Sequence, residues 1–521
     1  WYQTVRVRSV RISPYDLTTN DVPLYDLAVI GGGINGCGIA RDAAGRGIKT
    51  VLLEQNDLAS ATSSSSTKLI HGGLRYLEHY EFGLVRKALR EREKLWAIAP
   101  HIAWPLRFVL PHRSMMRPAL VLRLGLWLYD HLGGRKLLPA TQTRWRRTDP
   151  VFKNLDPSLK LGFEYSDLWV DDARLVVLNA MSARDYGADI LTRHRVTSLY
   201  QDDGAWRIEG LAGDRSFTVR ARVVVNAAGP WADRISGLKE RADQTAQLRL
   251  VRGSHIVVPK LYDDNRCFIL QHDDGRIIFV IPYENDYSLI GTTDIDHTAS
   301  PAHAHVSGEE IRYLCDAVNQ QFVRQVTPQD VVWHYAGVRP LWDDGGEAAQ
   351  ATTRDYKLVR TGGQDQAVAL TVIGGKLTTY RVLAEEVMEA LADVLPLQRG
   401  SFTAKEVLPG GDFAVTGYHA LCQQMQEAYP GLPVSLVQRA ARAYGTLAYR
   451  WLGTAQRLAD LGVCYGADLT QAEVEYMCQQ EFAQTAEDIL WRRSKVGLRF
   501  GADQIHRLQQ ALEEPGLPLI D

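Results

Sequence analysis

Short apolar runs separated by glycine-rich turns organise the first part of the chain. Residues 26–30 form one such run, which ends in closely spaced glycines and is followed by a helical pattern. A second apolar run over residues 50–53 ends at the acidic Glu54. This order predicts a strand, a helix and a second strand, which is the arrangement of a dinucleotide-binding unit.

The glycines and the acid have separate expected roles in that unit. Gly31 and Gly33 give a tight turn that lets the backbone approach a pyrophosphate, and Gly36 lets the helix pack closely on the strand. The helix N-terminus then directs free N–H groups at the phosphates. Glu54 is placed to accept a hydrogen bond from a ribose hydroxyl. A plain glycine-rich turn is the alternative, but the flanking runs and the acid favour a nucleotide.

Later patterns predict a second sheet and a helical C-terminal region. Residues 189–196 and 217–228 are expected to be further strands of the nucleotide domain, whereas residues 248–259 and 276–293 alternate like antiparallel strands. A strand also enters Gly374-Gly375 and opens another helix. We therefore predict an α/β (α+β) fold. Its expected parts are an N-terminal extension (1–23), nucleotide-binding segments (about 24–100, 185–235 and 355–395), substrate segments (about 101–184 and 236–354) and a C-terminal helical domain (401–521).

Composition narrows the function classes. The 521 residues are 45% hydrophobic and 23% charged, which is enough to bury the cores of two or three domains. A net charge of −2 provides no basic field for nucleic acid. The six cysteines are scattered without a CxxC motif, so we expect reduced core residues, and no His or Cys cluster indicates a metal.

One segment raises the question of membrane contact. No apolar run is long enough to predict a transmembrane helix. Residues 115–129 are strongly apolar, broken by Arg117 and Arg123 and flanked by further basic residues. Such a helix is typical of a membrane interface, and equally of a buried helix beside a substrate pocket. The Arg-rich residues 1–23 show strand-like alternation and are interpreted as an extension, with an organellar transit peptide as the alternative.

A serine-rich loop follows Glu54 directly. Residues 60–73 contain four consecutive serines and end in His71-Gly72-Gly73. Such a run is either a flexible linker or a loop that passes the pyrophosphate of the nucleotide. Hydroxyl and backbone N–H groups in that position are able to hold phosphate oxygens without adding charge.

Several ordered blocks along the chain resemble one family. They are residues 30–36 (IGGGING), 61–78 (ATSSSSTKLIHGGLRYLE), 163–175 (FEYSDLWVDDARL), 253–258 (GSHIVV), 290–294 (IGTTD), 337–340 (GVRP) and 374–381 (GGKLTTYR). These blocks resemble the FAD-dependent glycerol-3-phosphate dehydrogenases, in their aerobic bacterial form, within the D-amino-acid-oxidase-like flavoproteins. The resemblance implies a Rossmann-type FAD-binding domain, an antiparallel-sheet substrate domain and a C-terminal helical domain.

The resemblance also implies a reaction. The expected substrate is sn-glycerol 3-phosphate, oxidised to dihydroxyacetone phosphate, with hydride transfer to flavin N5 and electrons passed from FAD to membrane quinone. The implied location is the cytoplasmic face of the bacterial inner membrane, as a peripheral protein on an anionic lipid surface, with a homodimer possible.

Site residues follow by position in the matching blocks. Arg339 and Arg354 are expected to bind the phosphate, since arginine gives two parallel hydrogen bonds, although a salt bridge of either with Asp343 or Asp355 is the alternative. His255 is the candidate base, and Lys376 is expected to stabilise the reduced flavin or to bind the phosphate. Expected FAD contacts, besides Gly31, Gly33, Gly36 and Glu54, are Thr62, Ser63, Lys68, His71, Gly72, Val196, Ala228, Gly229, Gly375, Leu377 and Thr378.

Three alternatives to the dehydrogenase stay open at this level. An oxidase of the same fold would pass electrons to oxygen and make hydrogen peroxide. A flavin-holding interaction protein without turnover would have no need of Arg339, Arg354 and His255. An amine oxidase would act on a carboxylate substrate, which needs fewer cations than this sequence supplies.

Overall fold

The structure is a computed structural model that describes residues 22–74, 77, 80–238, 248–343, 355–363 and 366–513. Its strands, numbered along the chain, are β1 (Leu24–Ile30), β2 (Thr50–Leu53), β3 (Leu69–Ile70), β4 (Ala103–Pro111), β5 (Gln142–Trp145), β6 (Leu161–Val170), β7 (Asp189–Leu191), β8 (His194–Asp202), β9 (Ala205–Ala212), β10 (Arg215–Asn226), β11 (Leu248–Pro259), β12 (Cys267–Gln271), β13 (Ile277–Tyr283), β14 (Tyr287–Gly291), β15 (Ile295–Asp296), β16 (Trp333–Trp342), β17 (Lys357–Gly363), β18 (Gln366–Ile373), β19 (Cys464–Gly466) and β20 (Leu469–Thr470). Its α-helices are α1 (Ile34–Gly45), α2 (Phe82–Ile98), α3 (Ala119–Leu132), α4 (Asp172–Asp185), α5 (Ala232–Gly237), α6 (Gly308–Asn319), α7 (Tyr380–Ala390), α8 (Tyr418–Ala428), α9 (Val434–Tyr444), α10 (Ala448–Leu452), α11 (Gln471–Gln480) and α12 (Ala502–Glu513).

The first sheet is the predicted nucleotide-binding sheet. Its strands run in the order β17-β18-β10-β1-β2-β7, with β9 beside β10 and β8 beside β9. The strands from β18 to β7 are parallel, and their apolar side chains are buried on both faces, as expected where helices cover a parallel sheet. Helix α1 packs on this sheet beside α4 and α7. The predicted α/β class is confirmed.

The second sheet is mainly antiparallel and carries ten strands. Its order is β15-β11-β14-β13-β12-β4-β6-β3, with β16 paired to β11 and β5 paired to β6. The only parallel pair among its described strands is β4 with β12. Strand β3 belongs to this sheet although it lies only 16 residues after β2, so the serine-rich loop between them connects the two sheets.

Helices α8–α12 and a small β19–β20 hairpin form the C-terminal region. The largest hydrophobic cluster runs without interruption from Leu27 in β1 to Leu512 in α12. The C-terminal helices therefore share a core with the nucleotide-binding sheet, which the polar helical pattern of their sequence does not indicate.

Helix α3 covers most of the segment 115–129, for which two interpretations were open. It begins at Ala119, after the non-helical Pro118 at its N-cap, and only Leu126, Tyr129 and Asp130 of its side chains are buried. Its remaining apolar side chains include Leu120, 81% exposed, and Leu124, 64% exposed. The interpretation as a buried helix is therefore wrong. Within the described residues, no helix combines the length and the apolar character that crossing a membrane requires.

Candidate active site

A long cavity of about 350 Å³ runs along the carboxyl end of the first sheet and reaches the second sheet. Its walls come from the β1–α1 turn, the serine-rich loop, the ends of β10 and β18, and strands β11 and β16. The carboxyl end of a parallel sheet, where strand order reverses, is the usual ligand site of such folds. Fourteen of the predicted site residues line this cavity: Gly31, Gly33, Glu54, Thr62, Ser63, His71, Val196, Ala228, Gly229, Arg339, Gly375, Lys376, Leu377 and Thr378.

The β1–α1 turn has the shape that a pyrophosphate site requires. Gly31 has a φ of +117°, and a Cβ there would come within 2.5 Å of the Ala227 carbonyl oxygen. A Cβ on Gly36 would stand 1.8 Å from the carbonyl oxygen of Gly31, so Gly36 does not line the cavity but permits the turn. Ser63 accepts a hydrogen bond from the Ile34 N–H at 2.9 Å and closes the start of α1.

Glu54 lies in the cavity wall next to this turn. Its Oε2 accepts the Gly32 N–H at 2.6 Å, and its Oε1 accepts the Asn56 N–H at 2.7 Å. Burial raises the pKa of Glu54, and these two backbone donors oppose that shift. The carboxylate is therefore fixed in place beside the predicted ribose position.

A second glycine turn, formed by Gly374 and Gly375, contacts the β1–α1 turn through the Asn35 side chain. Gly374 and Gly375 have φ angles of +77° and +99°, and Gly375 approaches the Asn35 amide too closely for a side chain of its own. The Asn35 Nδ2 donates to the Gly374 carbonyl at 3.1 Å, while the buried Asn35 Oδ1 has no hydrogen-bond partner among the described residues. Two helix N-terminal regions and one unpaired acceptor thus converge on the cavity, which fits a dinucleotide carrying phosphates and hydroxyl donors.

Arg339 brings positive charge to the cavity from strand β16. Its Nη1 forms an ion pair with Asp294, and its side chain is 26% exposed. A Cβ on Gly253 would lie 2.6 Å from the Arg339 Nη2, so this glycine provides the space for the guanidinium. Asp294 is a partner that the sequence did not predict. Arg354, the second predicted phosphate ligand, lies outside the described residues.

His255 is placed behind the cavity and not in its wall. It is completely buried, and its Nε2 lies 3.0 Å from the Thr67 Oγ1, which does line the cavity. Burial, with the nearby charges of Arg339 and Lys68, lowers the pKa of His255 well below its ordinary value. The sequence suggests His255 as the base, but the buried imidazole does not line the cavity and adjoins it only through Thr67.

Lys68 and Gly72, two of the predicted cofactor contacts, do not line the cavity. Lys68 is fully buried, and its Nζ donates to Asp172 at 2.7 Å and to the Ser64 carbonyl at 3.0 Å. Because its charge is already paired, it attaches the serine-rich loop to helix α4 instead of reaching the cavity. The Gly72 N–H donates to the Tyr129 hydroxyl at 2.7 Å, which ties that loop to helix α3.

Some cavity residues were missed from the sequence. Thr67, Asn35, Phe279 and Thr292 line the cavity but were not among the predicted site residues. Asn35 and Thr292 lie in the family-like blocks IGGGING and IGTTD, so membership of these blocks could have identified them as site residues. Phe279 lies in an ordinary apolar strand and gave none.

Comparisons with known proteins agree with this geometry. A family model described as FAD dependent oxidoreductase matches residues 26–381, and one described as C-terminal domain of alpha-glycerophosphate oxidase matches residues 401–514. The glycerol-3-phosphate dehydrogenase of Pseudomonas aeruginosa is 50% identical over 95% of this chain and 97% of its own. The D-erythritol 1-phosphate dehydrogenase of Brucella abortus is 49% identical over 90% of this chain and 94% of its own.

A solved structure extends the similarity to the fold with its cofactor. The glycerol-3-phosphate dehydrogenase of Bacillus halodurans, complexed with FAD, superposes with a TM-score of 0.72 at 28% identity, covering 96% of this chain and 95% of the other. FAD is accordingly the cofactor of this fold. The chain belongs to the FAD-dependent oxidoreductases and, among them, to the bacterial glycerol-3-phosphate dehydrogenase family.

Proposed function

We propose that this enzyme oxidises sn-glycerol 3-phosphate to dihydroxyacetone phosphate and passes the electrons to membrane quinone. The observation that carries the proposal is that Arg339 and Lys376 line the same cavity as the dinucleotide turn. A phosphomonoester carries nearly two negative charges near neutral pH, and cations next to a redox cofactor suit that ligand.

The phosphate is assigned to the end of the cavity formed by β16 and the second glycine turn. The position of a Cβ on Gly374 lies 3.6 Å from the Pro340 carbonyl oxygen, so the backbone next to Arg339 runs close to the turn that carries Lys376. Asp294 pairs with the Arg339 Nη1, and the Thr292 Oγ1 lies 3.4 Å from Nη2, so the guanidinium is held at the cavity, where we propose that it binds the phosphate. Arg354 is proposed as a further ligand.

The alcohol group needs a hydride acceptor and a proton acceptor. FAD supplies the first, because its N5 takes the hydride from C2 of the substrate. His71 is a titratable side chain that lines the cavity, and we assign it the direct uptake of the hydroxyl proton. His255 reaches the cavity only through the Thr67 hydroxyl, so a proton would have to pass through that group.

Two features of the chain favour negative charge at the flavin end of the cavity. Lys376 precedes the helical turn Leu377–Thr379, which continues into α7, and this helix N-terminus faces the cavity. Both the Lys376 ammonium and the backbone N–H groups stabilise an anion there. That anion is the reduced cofactor or the substrate phosphate.

Quinone as the acceptor is supported by the surface of helix α3. The exposed side chains of Leu120, Leu124 and Trp127 form an apolar face on this helix, with Arg117 and Arg123 exposed beside it. An apolar face with basic flanks suits an anionic lipid surface, which is where quinone is dissolved. We propose that the protein lies peripherally on the cytoplasmic face of the bacterial inner membrane through this helix.

The first test is anaerobic mixing of the FAD-loaded protein with sn-glycerol 3-phosphate while the flavin absorbance is followed. Bleaching that a quinone analogue reverses faster than air supports both substrate and acceptor. Equal reversal by air identifies an oxidase. Glycerol, which lacks the phosphate, is the matched control and is expected to leave the flavin oxidised.

A second candidate substrate is a longer polyol phosphate, because one of the relatives is named for D-erythritol 1-phosphate. Parallel titrations with that compound and with sn-glycerol 3-phosphate decide between them. Faster flavin reduction at lower concentration by D-erythritol 1-phosphate would replace the substrate proposed above.

A further inference from the structure

The Thr67 hydroxyl is held between the cavity and a buried histidine. Thr67 lines the cavity, while His255 behind it is completely buried and lies 3.0 Å away, measured from Nε2 to Oγ1. Thr67 is the group through which His255 is able to influence a ligand.

The imidazole ring has little freedom to move. It stacks on the Tyr335 ring with centroids 4.8 Å apart and an angle of 16° between the planes. At the Cδ2 edge of the ring, a Cβ on Gly291 would lie only 2.1 Å from the His255 Cδ2, so the strand backbone contacts the ring closely. The Tyr335 hydroxyl donates to the Ser66 carbonyl at 2.8 Å, which fixes the residue next to Thr67 as well.

The surroundings of the ring select its tautomer. The His255 Nδ1 is buried and has no hydrogen-bond partner among the described residues. A proton on Nδ1 would leave a buried N–H donor unpaired, whereas a proton on Nε2 leaves only an unpaired acceptor, which proteins tolerate more often. The same burial disfavours the doubly protonated, charged ring. The neutral Nε2–H form therefore donates to the Thr67 oxygen.

We propose that His255, by donating to Thr67, turns the Thr67 hydroxyl proton toward the cavity, where it donates a hydrogen bond to the substrate oxygen that becomes the carbonyl. This inference rests on the proposed alcohol oxidation. As the hydroxyl gives up its proton, negative charge develops on that oxygen before the hydride leaves C2 and the carbonyl forms, and an oriented donor stabilises this charge. Thr67 is then a catalytic residue, and His255 is a positioning residue instead of the base.

The test compares Thr67→Val, Thr67→Ser and the control Ser64→Ala by rapid anaerobic flavin reduction. Ser64 belongs to the same loop, but its hydroxyl bonds the Ala61 carbonyl and does not line the cavity. We expect Thr67→Val to lower the limiting reduction rate about 10- to 100-fold with little change in substrate Kd. Thr67→Ser is expected to restore most of the rate, and Ser64→Ala to resemble the wild type.

Other outcomes overturn the proposal. A raised Kd with an unchanged limiting rate in Thr67→Val would place the hydroxyl on the phosphate. A His255→Asn variant that loses the pH dependence of reduction seen in the wild type would make His255 the base, reached through Thr67. Failure of the wild type itself to be reduced by sn-glycerol 3-phosphate would reject the proposed substrate, and the variants would then be compared on the polyol phosphate that does reduce it.

Discussion

Two glycines of the second sheet provide space for side chains of the site. Gly253 leaves room for the Arg339 guanidinium, and Gly291 leaves room for the His255 ring. Neither glycine has a positive φ, so the left-handed backbone conformation that usually favours glycine does not explain them. Their role is the close approach of a neighbouring side chain.

Replacing Arg339 tests the phosphate site. We expect Arg339→Ala to raise the substrate Kd about 10- to 100-fold, since one charge-assisted contact is lost. Arg339→Lys is expected to be intermediate, because lysine keeps the charge without the bidentate geometry. The measurement is anaerobic titration of the flavin spectrum with sn-glycerol 3-phosphate.

The control for that experiment is a double variant in which Asp294 is changed as well. Arg339→Ala removes the positive charge that pairs with the Asp294 carboxylate, and the negative charge that stays would repel phosphate by itself. The double variant Arg339→Ala with Asp294→Asn removes that repulsion. If the double variant binds substrate as the wild type does, Arg339 is not a phosphate ligand.

His101 predicts a pH dependence of stability. Both of its ring nitrogens are buried without a partner among the described residues, and burial, followed by the charges of Arg174 and Arg442, lowers the pKa of His101 to about 3. The unfolded chain binds this proton near pH 6.5 and the folded chain only near 3. Stability is therefore complete above 6.5 and falls with decreasing pH through that window, by at most about 1.4 kcal/mol per pH unit.

We expect His101→Leu to reduce this loss. His255, whose pKa is also lowered, contributes a loss of the same sign that stays in the variant. Between pH 6.5 and 5 the wild type is expected to lose about 2 kcal/mol more than the variant through this one group. Urea unfolding at pH 5, 6.5 and 8 measures it, and parallel curves for the two proteins would contradict the assignment.

Residue roles were predictable from the sequence where the role depends on the backbone. Gly31 and Gly36 have the predicted geometry because short spacing fixes the turn. Lys68 and His255 do not face the cavity, because their orientation depends on Asp172 and Tyr335, which are distant in sequence. No local pattern carries that information.

The exposed apolar face of helix α3 leads to a prediction about lipid binding. Each exposed large apolar side chain contributes about 1.5–3 kcal/mol when it is buried in an apolar phase. Leu124→Ser with Trp127→Ser is therefore expected to weaken binding to vesicles of anionic phosphatidylglycerol at least about 10-fold. Charge reversal of Arg117 and Arg123 is expected to weaken it further and to remove its salt dependence.

Vesicle sedimentation at several salt concentrations measures this effect. Val434→Ser is the control, because Val434 is also exposed but starts the distant element α9. If vesicle binding is unchanged in the α3 variants, another surface contacts the membrane and the proposed orientation is wrong.

Element boundaries show where sequence patterns fail. One strand was predicted over 189–196, but Arg193 has a φ of +58°, which ends β7 and starts β8 in a new direction. Residues 80–96 have a helical pattern, and α2 covers Phe82–Ile98, which differs from that range only at the ends. Apolar periodicity identifies an element well, whereas a single residue with unusual φ leaves no periodic signal.

At the scale of the whole molecule, ion pairs attach the C-terminal region to the nucleotide-binding sheet. Asp57, three residues after Glu54, is buried and accepts hydrogen bonds from Arg492 and Arg493 at 2.6–2.7 Å. Arg174 of α4 likewise pairs with the buried Glu481. The sequence separates these partners by hundreds of residues, so the attachment was not predictable from it.

Asp57→Asn tests this attachment. Breaking a buried pair leaves uncompensated charge and is expected to cost about 3–5 kcal/mol. Asp460→Asn is the control, because its pair with Arg457 is largely exposed to solvent and is expected to contribute much less to stability. Thermal unfolding of both variants measures the difference, and equal midpoints would show that the Asp57 pairs do not stabilise the fold.

The position of Asp57 has a consequence for protein turnover. The loop that carries Asp57 begins at Glu54 in the wall of the cofactor cavity, and through Asp57 it binds Arg492 of the C-terminal region. No described residue of the C-terminal region lines that cavity. A ligand that binds only the native state adds about 2.7 kcal/mol at one hundred times its Kd, and this stabilisation extends to every part that unfolds with the site. Newly made chains without cofactor should therefore be cleaved by proteases in their C-terminal helices, so that degradation removes the apoprotein selectively.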